Sequence, residues 1–133
     1  MPLSDIRPAL RSFLLADVNI SAVVADRVFP LVLPQGQTQP SIVYSRISGI
    51  GDHTTSGPSG LARPRFQIDA YAQSADDADA LALMIKSALD GFAGLMGTIT
   101  VQGVFYETER DDFYPEINMH RASRDYFIFF EER

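Results

Sequence analysis

The chain has 133 residues, no cysteine, 46% hydrophobic residues and 21% charged residues. These values describe one folded domain with its own core, and they exclude a disulfide scaffold, a cysteine-ligated zinc site and a thiol nucleophile. Seventeen acidic against eleven basic residues give a formal charge of −6, and the bases are scattered, so the overall field opposes binding to nucleic acid through a basic patch.

Arg7 and Arg11 interrupt the first apolar run, so no secretory signal is expected there. No stretch approaches the roughly 20 apolar residues of a membrane span. There is no internal repeat and no low-complexity tract.

Residues 4–16 carry Ile6, Leu10, Phe13 and Leu14 at i, i+4, i+7 and i+8, one face of a helix. Ser4 is placed to cap it, and Pro8 is tolerable within the first turn. A short helical turn is expected at residues 20–25, capped by Asn19, with Ile20, Val23 and Val24 inward. Residues 27–33 read as a short extended piece that Pro30 and Pro34 keep away from the centre of a sheet. A turn-rich loop at 34–40 follows, then a strand at 41–48.

Residues 50–60 hold glycines and a proline among small polar residues, and predict a long flexible loop. Residues 63–72 alternate, with Phe66, Ile68 and Ala70 on one face and Arg65, Gln67 and Asp69 on the other, a half-buried strand. Ser74 then reads as a helix cap, with Asp76 and Asp79 favouring the positive end of the helix dipole. Leu81, Met84, Ile85, Ala88, Leu89 and Phe92 form its apolar stripe, and Gly91 or Gly94 closes it at positive φ. Residues 97–109 predict a strand broken or bulged at Gly103. Residues 110–120 read as a polar connection and 121–131 as the last strand.

The order of helix, strands, helix and strands predicts an α+β fold: an antiparallel, or mixed, sheet of four to five strands with two main helices on one face. The domain is expected to span residues 1–133, with a flexible loop at 50–62. In the last strand Tyr126, Ile128 and Phe130 lie on one side, Phe127 and Phe129 on the other. Both sides are too apolar for water. Helices should cover one, and a loop or another chain the other, which points to an oligomer.

Few residues offer chemistry. Asp76, Asp77 and Asp79 suit a solvated first helical turn better than a metal site. His53 and His120 have no carboxylate at ligand spacing. Strand alternation places Glu107 and Glu109 on one face near Asp111 and Asp112, but a solvated hairpin end explains them more simply than paired-carboxylate catalysis. Residues 57–60, Gly-Pro-Ser-Gly, match neither a nucleophile elbow nor a phosphate loop. The single lysine, Lys86, falls within a helix. No catalytic, cofactor-binding or metal-binding residue is assigned.

One combination is more specific than its parts. Asp26-Arg27-Val28-Phe29-Pro30 precedes Pro34-Gln35-Gly36 and Pro40-Ser41-Ile42-Val43-Tyr44-Ser45-Arg46-Ile47-Ser48-Gly49. Gly57-Pro58-Ser59-Gly60 and Arg65-Phe66-Gln67-Ile68-Asp69-Ala70-Tyr71 follow, then Leu89-Asp90-Gly91-Phe92, Val101-Gln102-Gly103-Val104-Phe105, Glu109-Arg110-Asp111 and the aromatic terminal strand.

In this order and spacing, from about Leu10 to Glu131, the chain resembles the tail-completion, or tail-terminator, proteins of long-tailed bacteriophages and gene-transfer particles. The resemblance implies a sheet flanked by helices, similar to the lambda-type tail terminator. It also implies a homo-oligomeric ring, usually hexameric, on the neck end of the virion tail, made in the host bacterial cytoplasm. Such a ring stops polymerisation of the major tail tube protein and meets the head-completion (stopper) protein. DNA passes through its lumen without specific binding. No catalysis, cofactor or membrane contact is implied. Another head–tail joining protein of similar fold is the first alternative, and a small hydrolase or metal enzyme using Glu107, Glu109, Asp111 or the histidines the second. The residues expected at assembly contacts are Ile50, Asp52, His53, Thr54, Thr55, Leu61, Arg63, Phe127 and Phe129.

Overall fold

A computed structural model describes residues 6–47 and 61–131. Helix α1 (Ile6–Ala16) and helix α2 (Val18–Val24) lead into strands β1 (Val28–Pro30) and β2 (Ser41–Arg46). Strands β3 (Leu61–Ala62) and β4 (Arg65–Ala72), helix α3 (Ala75–Leu89) and strands β5 (Gly94–Met96), β6 (Ile99–Tyr114) and β7 (Met119–Glu131) complete the order. The sheet runs β1-β2-β4-β7-β6-β5, with β3 pairing on β7. Only β1 and β2 are parallel among these pairs, so the sheet is mixed. The class is α+β, as expected; the described residues hold three helices and more strands than the four or five predicted, because β1, β3 and β5 span only two or three residues each.

Helix α1 buries Ile6, Leu10 and Leu14, as its period requires, and Pro8 sits in its first turn. The proposed cap Ser4 lies outside the described residues. Helix α2 begins earlier than predicted because Asp17, rather than Asn19, caps it. The Asp17 carboxylate accepts from the N–H groups of Asn19 and Ile20 at 2.9 and 3.1 Å. An aspartate there also favours the positive end of the helix. Helix α3 behaves as read: Ser74 Oγ accepts from the Asp77 N–H at 3.1 Å, and Leu81, Ile85 and Leu89 are buried. Gly91 follows its end at φ 82° and donates its N–H to the Val104 carbonyl at 2.8 Å, fastening the helix to β6.

These helices cover one face of the sheet. Tyr44, Phe66, Ile68, Ala70, Val101, Val104, Tyr126, Ile128 and Phe130 pack beneath them in one continuous core. Phe13 of α1 meets Phe92 beyond α3 with ring centroids 4.6 Å apart. At about 25 cal/mol per Å² of apolar surface, this burial dominates the stability of the fold.

Three further expectations need correction. The extended piece at 27–33 shrinks to β1, because Leu31 turns the chain at φ 72°. The polar connection at 110–120 is strand over most of its length. Strand β6 runs to Tyr114 and β7 starts at Met119, leaving a four-residue turn closed by Ile117 N–H to Tyr114 carbonyl and Asn118 N–H to Pro115 carbonyl. Strand β4 is buried on both faces, since Asp69 and Tyr71 are covered as well as Phe66, Ile68 and Ala70. Gly103 does mark a break: the β6–β7 register shifts between Val101 and Gly103, and again between Tyr106 and Thr108.

Candidate assembly surface

The second face of the sheet carries the features left over after the core is built. It has two parts, arranged along the long β6–β7 hairpin.

Towards the β1 side and the turn, Val43, Tyr71 and Met119 form a small second cluster, covered by Phe29, Leu33 and Tyr114. Beside it lie buried polar groups. Asp69 is only 4% exposed, accepts from Gln67 Nε2 at 3.0 and 3.1 Å, and stands 3.7 Å from the Arg121 guanidinium. Burial raises the Asp69 pKa, opposed by hydrogen bonds from Ser123 and Gln67 and by the charge of Arg121. Arg121 also holds Asp112 at 2.5 Å and lies over the Tyr114 ring. Its hydrogen bond keeps Asp112 below the ordinary carboxylate range.

At the other end of the hairpin the surface is aromatic. Phe105 pairs with Phe127 and Gly103 with Phe129, so alternation sets three phenylalanines side by side. Phe105 meets Phe129 edge-on at 5.3 Å and is 53% exposed. A Cβ on Gly103 would come within 3.0 Å of the Phe105 ring. The missing side chain is therefore what lets that ring lie back over the strand. Arg65 covers Phe127 from the opposite side, its guanidinium 5.6 Å from the ring centroid, and is held at 2.8 Å by Asp125, which also accepts from the Thr108 hydroxyl at 3.0 Å.

This surface gathers some of the residues singled out from the sequence. Phe127 and Phe129 lie in it, half-buried. Leu61 opens β3 opposite Glu131. Arg63 is exposed between Ala62, which pairs with Phe130, and Pro64, whose carbonyl accepts from the Ile128 N–H at 3.0 Å. Ile50, Asp52, His53, Thr54 and Thr55 lie outside the described residues. Phe105 and Arg65 belong to the surface and were not foreseen. Phe105 could have been found from the strand parity it shares with Gly103 once the bulge is placed, but Arg65 needs the β4–β7 register.

Of the carboxylates considered for catalysis, Glu109, Asp111 and Asp112 are engaged by arginines. The bulge after Tyr106 breaks the alternation that would pair Glu107 with Glu109. Arg124, on the helix-covered face, draws together Asp111 at 2.8 Å, Asp79 at 3.3 Å and Glu109 at 3.6 Å. Burial works against its charge, but the Asp111 hydrogen bond and the nearby Glu109 outweigh that and raise its pKa. The Tyr106 hydroxyl donates to Glu109; burial first, and then that bond, push the phenol up to about 12. Lys86 lies 4.2 Å from the Tyr106 ring centroid. In the depression between these groups, about 230 Å³ and lined by Asp79, Ala82, Leu83, Lys86, Glu109 and Arg124, both carboxylates are already paired with Arg124. His120 stacks near Phe113 at 4.5 Å, and among the described residues no group of three or more potential metal ligands comes together. No helix of the described residues is long and apolar enough to cross a membrane.

Comparison with known proteins completes the site. The family model of tail completion protein gp17 matches residues 8–131. A search of curated proteins finds no match. Among solved structures, the chain is similar to one from the virion of a native gene transfer agent (GTA) particle, with a TM-score of 0.75 and 20% sequence identity, covering 93% of this chain and 92% of that one. At that identity the likeness establishes the fold. The family match over almost the whole length establishes the rest: the chain belongs to the tail completion protein gp17 family, structural proteins of the bacteriophage-type virion tail.

Proposed function

We propose that this chain caps the neck end of the tail tube as a closed homo-oligomeric ring, a hexamer, in a phage or gene-transfer particle. The ring ends polymerisation of the major tail tube protein and offers the joint to the head-completion protein. DNA passes through its lumen without specific binding, and the chain performs no catalysis and needs no cofactor. The observation that carries this reading is the family match from residue 8 to residue 131. The half-exposed row of Phe105, Phe127 and Phe129 supports it, because an apolar row on a sheet face is a contact waiting for a neighbour. The charge of −6 suits a passage along which DNA must slide.

Residues 50–60 are proposed as a contact arm, continuing into Leu61 and Arg63. Deleting 51–60 is expected to leave the thermal unfolding midpoint nearly unchanged and to abolish rings on tube ends; an unfolded deletion variant would show the segment to be structural instead. The function itself is tested by assembling tails without the chain. Overlong tubes that fail to join heads are expected. Tubes of normal length that merely fail to join heads would favour a head–tail joining protein that does not end the tube, and a pull-down against tube and head-completion proteins separates the two.

A further inference from the structure

The aromatic row is two ranks deep. Ala62 lies opposite Phe130 and Arg65 opposite Phe127, and between them the Ile128 N–H donates to the Pro64 carbonyl at 3.0 Å. The register is continuous, so Arg63 stands opposite Phe129 and strand alternation turns it to the same face. One rank is therefore Arg65, Phe127 and Phe105, and the next is Arg63, Phe129 and Gly103. Arg65 is held by Asp125, whereas Arg63 is exposed and has no carboxylate partner among the described residues. Of the other acids at this end, Glu131 accepts from Gln102, and Glu107 sits at the second bulge of β6, two strands from Arg63.

Residues 48–60 lie outside the described residues, but the strands on either side fix where the chain leaves and returns. Strand β2 ends at Arg46, and the Ile47 N–H donates to the Arg65 carbonyl at 2.9 Å. Strand β3 opens at Leu61, opposite Glu131. Because β2 is antiparallel to β4, both stems point off the end of the sheet that carries the row. The gap between them is four residues of strand and one strand spacing, roughly 14 Å. About five residues bridge that distance, and the 13 present can reach roughly 15 Å past the sheet. Their one fixed charge is Asp52 and their one branched aliphatic is Ile50. In extended chain two such positions face the same way about 7 Å apart, the spacing of the two ranks.

We infer that residues 48–60 of one copy dock on the aromatic row of the next, with Ile50 against Phe127 and Phe105 and Asp52 against Arg63. The inference rests on the ring proposed above and names one of its contacts. The stems direct the segment away from the row of its own chain, and its excess length carries it to a neighbour. An aliphatic group then covers rings left half open, and the one acid of the segment meets the one arginine of the row without a carboxylate. Each copy brings one such segment and one row, so a head-to-tail contact repeated around a ring fills every row.

Because the chain has no cysteine, disulfide trapping in rings assembled on tail-tube ends tests it. Ile50→Cys in one tagged chain and Phe127→Cys in a second, differently tagged chain should give a mixed disulfide joining the two tags. Both changes in one chain should give a ladder of linked copies. Ile50→Cys with Leu83→Cys, on the helix side and 66% exposed, should give neither. Circular dichroism melts check folding, and Phe105→Cys, at a more exposed position, takes the place of Phe127→Cys if the latter melts early. Links confined within single chains, or no link in rings that form normally, overturn the contact and leave the ring; wild-type protein that forms no ring overturns both. Charge reversal gives a second readout. Asp52→Arg and Arg63→Asp should each lower ring occupancy about tenfold or more by electron microscopy, and together restore it; undiminished rings, or no recovery in the pair, overturn the match of Asp52 to Arg63.

Discussion

The two faces of the sheet are stabilised in different ways. Under the helices, Phe66, Ile68, Tyr126, Ile128 and Phe130 are sealed by α1 and α3, and stability there comes from area removed from water. The opposite face joins a small cluster around Val43, Tyr71 and Met119 to arginine–carboxylate pairs and a row of phenylalanines left half open. The first face specifies the fold. The second ties neighbouring strands together with cross-strand charges and leaves apolar surface half open. Even the sealed face has an unmet demand: the buried Tyr126 hydroxyl has no hydrogen-bond partner among the described residues, and burial raises its pKa.

This contrast can be broken from either side. The largest loss of stability is expected from Phe66→Ala, which opens a cavity under the helices and should cost about 3–5 kcal/mol by urea denaturation. Leu89→Ala, at the foot of α3, belongs to the same range of about 2–5 kcal/mol. On the other face Arg121→Ala leaves Asp69 buried without its cation, and a loss of about 2–3 kcal/mol is expected. Ser74→Ala removes the α3 cap and should cost about 0.5–2 kcal/mol. A loss on Arg121→Ala as large as that on Phe66→Ala would erase the distinction between the faces.

Asp69 sharpens it through pH. Its folded pKa lies above the unfolded value of 3.8, so between these two values the folded state binds more protons than the unfolded one. The contribution of Asp69 therefore falls as pH rises through its folded pKa, and improves as pH drops towards 3.8. Asp112 has the opposite sign: its lowered pKa contributes stability above the unfolded value, lost as pH falls below it. Urea midpoints of wild type and Asp69→Asn across mildly acidic pH should diverge as pH rises, the wild type losing more. Parallel profiles would remove Asp69 from the account. The smallest effect on folding is expected from Phe105→Ser, within about 0.5 kcal/mol for an exposed side chain, although rings on tube ends should be lost.

How much of this was legible in the sequence follows from the range of the forces. Helix α3 was, because its cap and stripe are local. So was the inner face of β4, and the break at Gly103. The far half of β6 was not. Residues Glu107 to Asp112 show no apolar period, and what holds them in strand is Arg121 and Arg124 reaching across from β7. The burial of Asp69 was equally hidden, since its partners Arg121 and Ser123 come from β7, distant in the chain. Strand β5 is only Gly94, Leu95 and Met96, too few for a period. The Asp17-Val18-Asn19 stretch presents two capping residues, and only geometry chooses Asp17. As for the assembly surface, Phe127 and Phe129 announced themselves as a doubly apolar strand, whereas Phe105 and Arg65 join them through strand register alone.

The role proposed for this chain is to close the tail tube at the neck. The most direct measurement is electron microscopy of intact particles, with the fold placed in the density along the tail axis. One closed ring of copies is expected between the last tube layer and the head-completion proteins, with the Phe105–Phe129 face buried against neighbouring chains. The chain found at the distal tip, along the shaft, or as isolated copies with that face in solvent would contradict it.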